Sequence, residues 1–101
     1  MTCDFGTVVT ALMAEGGVDL GKMFGSRGLR THGKVFAMEV KGRLVVKLSV
    51  DRASALTTAG LAEPFDPGHG RPMRQWVSVS PSSSLDWLEL AREARSYVSL
   101  A

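Results

Sequence analysis

A chain of 101 residues, 45% of them hydrophobic, carries enough apolar side chain for one modest core and too little for two. The formal charge of +2 and a pI near 9.0 permit contact with nucleic acid without the dense Lys and Arg cluster of a strong binder. The lone Cys3 excludes an internal disulfide and a cysteine-based metal site, and the start MTCDFGTVV has neither the basic region nor the apolar run of a secretory signal. No segment approaches the roughly 20 apolar residues of a membrane helix, so a cytoplasmic protein with no membrane partner is expected.

Phe5, Val8, Val9, Leu12 and Met13 recur at helical spacing, with Thr2 or Asp4 placed to cap the start and Gly16-Gly17 to stop it. The stretch from Gly21 to Ser49 then reads as three strands joined by two turns, Thr31-His32-Gly33-Lys34 and Val40-Lys41-Gly42-Arg43. Glycine tolerates the positive φ that ends a type I turn with a bulge. In that register Glu39 faces Arg43, Met38 faces Leu44 and Phe36 faces Val46, with Leu48 on the same apolar face. Val35, Ala37, Glu39, Arg43, Val45, Lys47 and Ser49 occupy the other face. A two-residue turn at Lys41-Gly42 would shift the pairing by one and set Arg43 and Lys47 beside Phe36, Met38 and Val40; the first register is preferred. The same count at Gly33 sets Gly28 opposite Phe36. The first strand, Met23 to Arg30, carries Gly25 and Gly28 and is expected to be the weakest, bent or at an edge.

Asp51 is a natural N-cap for a short helix from Arg52 to Ala59, and Gly60 sits where such a helix ends in the left-handed conformation. Leu61 to Arg71, with Pro64, Pro67, Gly68 and Gly70, reads as an ordered loop anchored by Leu61 and Phe65. Met73 to Val79 alternates as a fourth strand, ended by Pro81 and the serines Ser82, Ser83 and Ser84. Ser83 and Asp86 have capping-box spacing, and Trp87, Leu88, Leu90, Ala91, Ala94 and Val98 give the final helix its apolar face. Arg92 and Arg95 suit that helix's dipole. The expected fold is a single α+β domain over residues 1–101, an antiparallel sheet of about four strands with three helices over one face.

His69, in DPGHGRP among Glu63, Asp66 and Arg71, is the most tempting catalytic base, but no Ser or Cys nucleophile stands in a recognisable elbow or papain-like context. A loop histidine in a protein that is not an enzyme is the preferred reading, with no catalytic residue. GSRG and GHGR match neither the P-loop nor GxGxxG, and two histidines with one cysteine give no ligand spacing, so no cofactor and no metal are expected. Cations gather between the first strand and the last, Lys22 and Lys41 among them. Arg27, Arg30, Lys34, Arg43, Lys47, Arg71 and Arg74 are the candidate contacts for phosphates or a protein partner, with Trp76 nearby to stack a base. Glu39 is placed to neutralise Arg43, and Trp76 and Trp87 read first as core.

The pieces KMFGSRGL, GKVFAM, GRLVVKL, GLAEPF and GRPMRQWVSV, followed by a C-terminal helix, stand in an order that resembles the N-terminal domain of TfoX/Sxy-type competence regulators. The resemblance runs from about Gly21 to Val98; MmcQ/YjbR-like proteins are similar in their strand and tail patterns. It implies an α+β fold, a link to transcriptional control of DNA-uptake competence in bacteria, and no catalytic motif. The namesakes carry a second, C-terminal domain after this one, whereas this chain ends at Ala101, so a stand-alone module that departs from the family pattern is expected. The leading expectation is a small cytoplasmic bacterial module acting by protein contact, with transcription machinery or with itself as a homodimer through the Met23–Arg30 edge or an exposed sheet face. A weak nucleic-acid binder using the basic hairpin face comes second, and a small-molecule binder or enzyme around His69 third.

Overall fold

Asp4 opens the first helix, α1 (Phe5–Glu15), by accepting the Thr7 amide at 2.9 Å, and Gly16, at φ 82°, closes it. Phe5, Val8 and Leu12 form its buried face, whereas Met13, expected there too, is 45% exposed. The computed structural model describes residues 2–23, 26–66, 70 and 73–100. After α1 come β1 (Asp19–Met23), β2 (Ser26–Thr31), β3 (Lys34–Val40), β4 (Arg43–Lys47), α2 (Val50–Thr58), β5 (Glu63–Phe65), β6 (Met73–Val79) and α3 (Trp87–Leu100).

The strands form one antiparallel sheet in the order β1-β2-β3-β4-β6-β5. The α+β class holds, with six strands instead of four. The additional ones are β1, where Asp19 and Gly21 hide a strand among weak formers, and β5, three residues of the expected loop around Pro64. Buried residues of all three helices share one core with Leu29, Phe36, Ala37, Leu44, Val46, Val77 and Val79. The expected first strand is divided: its Ser26–Arg30 part lies in β2, between β1 and β3, so it is no edge. The edge is β1.

The preferred register is overturned. Val40 pairs with Arg43, Glu39 with Leu44 and Met38 with Val45. His32 and Gly33 (φ 52° and 76°), like Lys41 and Gly42 (φ 53° and 75°), are all left-handed, which makes both hairpins two-residue type I′ turns. Primed turns match the right-handed twist of the flanking strands, and here that gain outweighs the cost of placing His32 and Lys41 at positive φ. A bulge then repairs the apolar pattern. Leu29 pairs with Ala37 and Arg30 with Val35, leaving Phe36 as the extra residue. Phe36 and Ala37 therefore both face the helices, together with Leu44, Val46 and Leu48 as expected, while Met38 turns to the opposite face. Gly28 lies opposite Met38, not Phe36.

Two caps also differ from expectation. Ser49, not Asp51, caps α2 by accepting from Arg52 N at 3.1 Å, and Gly60 follows the helix at φ 75° as expected. Ser83 accepts from Leu85 N and donates to the Leu61 carbonyl, so it braces the approach to α3. Asp86 takes the capping place, accepting from Leu88 N at 3.1 Å and from Thr2 N at 2.9 Å, while Trp87 N donates to the Thr2 carbonyl at 2.8 Å. Arg92 and Arg95 serve the end of α1 in place of their own helix: both pair with Glu15, and Arg95 donates to the Gly16 carbonyl at 2.6 Å.

Candidate interaction surfaces

The register decides what the candidate cations can do, because it divides them between the two faces of the sheet. Arg27 lies on the helix side, 5.3 Å from the centre of the Phe5 ring and 2.8 Å from Glu39. Arg43 lies on the opposite side, donating to Ser78 Oγ at 2.7 Å and pairing with Glu63 at 3.4 Å, so Glu39 does not neutralise it. Arg30 reaches Asp19 at 2.9 Å. Its side chain crosses Gly21 on the way: a Cβ built on that glycine would stand 2.8 Å from Arg30 Nε. Lys34 is exposed at the start of β3, Lys47 is half-buried across from Trp76, and Arg74 is exposed on β6. Arg71 and His69 lie outside the described residues. The single basic face imagined from the sequence is thus distributed over both sides, and Arg27, Arg30 and Arg43 each hold a carboxylate.

The face away from the helices is not an open platform. Met38 and Val45 are fully buried there with Phe65 and Trp76, each 7% exposed, in a second small core. Trp76 is therefore a packing residue, as is Trp87 in the main core. Beside α2 a groove of about 340 Å³ runs along Val50, Ala53, Thr57, Pro64 and Trp76 to Arg74. A second, of about 360 Å³, lies between Arg43 and Ser80, Ser82 and Ser83. Among the described residues no three His, Cys, Asp or Glu side chains gather as metal ligands, and no helix is long and apolar enough to cross a membrane.

The two ends of the sheet are unlike. β5 is only three residues long and has Pro64 at its centre, which lacks the amide hydrogen that a further strand would need. β1 has five residues, no proline and, among the described residues, a partner strand on one side only. Leu20, next to Leu29 on the helix side, is 46% exposed there. Sequence reasoning missed this edge because it assigned the open strand to Met23–Arg30.

A family model described as the TfoX N-terminal domain matches residues 10–101. No curated protein matches the chain.

Proposed function

Because the chain belongs to the TfoX N-terminal domain family, we propose that it is a contact module, active in competence-related regulation of the kind that family suggests, which recognises a polypeptide along the open edge of β1. The supporting observation is the contrast between the two sheet edges. The β5 edge is short and interrupted by Pro64, whereas β1 offers an uninterrupted row of backbone donors and acceptors to an added strand. In this reading the protein works in the cytoplasm and does no chemistry. Three of its candidate cations, Arg27, Arg30 and Arg43, pair with Glu39, Asp19 and Glu63. A photoreactive amino acid placed at Leu20, and as a control at exposed Ser82, tests it in cells of the native host. A discrete covalent adduct is expected from position 20 only. Equal labelling from both positions, or none from position 20, would defeat the proposal. Lys47 and Arg74, which make no ion pair among the described residues, favour nucleic acid as the second reading. Salt-sensitive retention on DNA, lost in a Lys47→Ala/Arg74→Ala variant, would move the function there.

A further inference from the structure

Resting on β1 as the contact edge, we infer that its occupant is a second copy of this chain, joined antiparallel about Leu20 into a continuous sheet. A twofold axis perpendicular to a sheet keeps each face on its own side, so residues directly opposed across the join must belong to the same face. Every residue-centred axis in β1 meets that condition; near its middle a centre on Lys22 would oppose two like charges, which leaves Leu20 and Gly21. Centring on Gly21 sets the charged Lys22 against the apolar Leu20 and Asp19 against Met23. Centring on Leu20 sets the two half-exposed leucines against each other, on the side where each already packs next to Leu29.

The Leu20 centre also matches charge to charge. It places Asp19 of one copy opposite Gly21 of the other, and over that glycine lies the Arg30 side chain. Each Asp19 carboxylate, 65% exposed and already 2.9 Å from its own Arg30, then meets the guanidinium of the second copy. Two aspartates and two arginines close into a balanced cluster on one face, with a leucine pair on the other. Gly21 is what allows it, because a side chain there would push Arg30 away. Centred on Leu20, residues 19 to 21 of β1 pair with β1 of the second copy, a small interface, so the dimer is expected to be weak, dissociating at about 10–100 μM.

Sedimentation across that concentration range tests the inference. Wild type is expected to move from monomer to dimer; Leu20→Lys and Gly21→Ala should each raise the dissociation constant about tenfold or more with an unchanged circular dichroism spectrum. Asp19→Arg should abolish the dimer, and Asp19→Arg/Arg30→Asp should restore it. If a variant fails to fold, hydrogen exchange on the wild type replaces it, with slowing of the β1 amides at higher concentration as the expected result. A wild type that stays monomeric to about 1 mM, or a dimer whose β1 amides exchange no more slowly, would overturn the inference. A position-20 adduct to a different protein, with no self-association, would overturn it too while leaving the edge reading of β1 intact.

Discussion

At Lys41 and Gly42, φ is 53° and 75°, and the two positions carry unequal strain. Glycine takes the left-handed conformation freely, while an L-residue there costs about 1–2 kcal/mol. Gly42→Val is therefore expected to lower stability by about that amount or more, since β-branching adds to the strain. Lys41→Asn should raise stability by up to about 1 kcal/mol, because asparagine tolerates this geometry and completes the favoured turn pair. Urea denaturation of the three proteins measures both, and equal midpoints would contradict the turn assignment. Asp4 has its pKa held below its ordinary 3.8, first by the Thr7 amide and then by the Thr7 hydroxyl, both of which bond to the ionised carboxylate. Because the folded value is depressed, the stabilisation is present above the unfolded value and is lost as pH falls through the folded one. Asp4→Ala should thus melt below wild type at about pH 7, and the gap should narrow as the pH is lowered below about 4.

Among the elements, β3 has the most demanding task, since one extra residue lets it serve two faces. Phe36, fully buried, fills the main core from the bulge. Phe36→Ala is expected to cost about 3–5 kcal/mol, measurable by the same urea titration, whereas a loss under about 1 kcal/mol would mean that the ring lies outside the core. This strand also shows how far the sequence could be read. Both turns, the strand Met73–Val79 and all three helices were legible from glycine placement and periodicity. The register was not, because side-chain alternation cannot distinguish a regular strand in one register from a bulged strand in the other. Phe36, Leu44, Val46 and Leu48 face the helices under either. The charge partners followed the register out of reach: with Glu39 opposite Leu44, its carboxylate turns toward Arg27, and Arg43 finds Glu63 on a strand that the sequence reading took for a loop. The family was legible throughout, since it rests on the order of short motifs instead of on pairing.

For the whole molecule, the three helices share one core on one face of one sheet, and the Cα radius of gyration is 12.3 Å, against roughly 13 Å for a single domain of 100 residues. The chain is accordingly expected to unfold in one transition, with tryptophan fluorescence and far-ultraviolet circular dichroism superimposing and a calorimetric enthalpy of about 60–80 kcal/mol. Separated transitions would show that the Trp76 cluster melts apart from the Trp87 core. The Thr2 contacts with Asp86 and Trp87 bear on how the molecule is made. They tie positions 84 and 85 apart in the chain, so the first folded turn shares its anchor with the last helix. At about 5–20 residues per second on the ribosome, Asp86 arrives roughly 4–17 s after Thr2. The β2–β3 and β3–β4 hairpins have their partners within reach as they emerge, whereas α1 gains its contacts with α3 only when the end of the chain is made. Completion of the core thus waits for the final helix to appear.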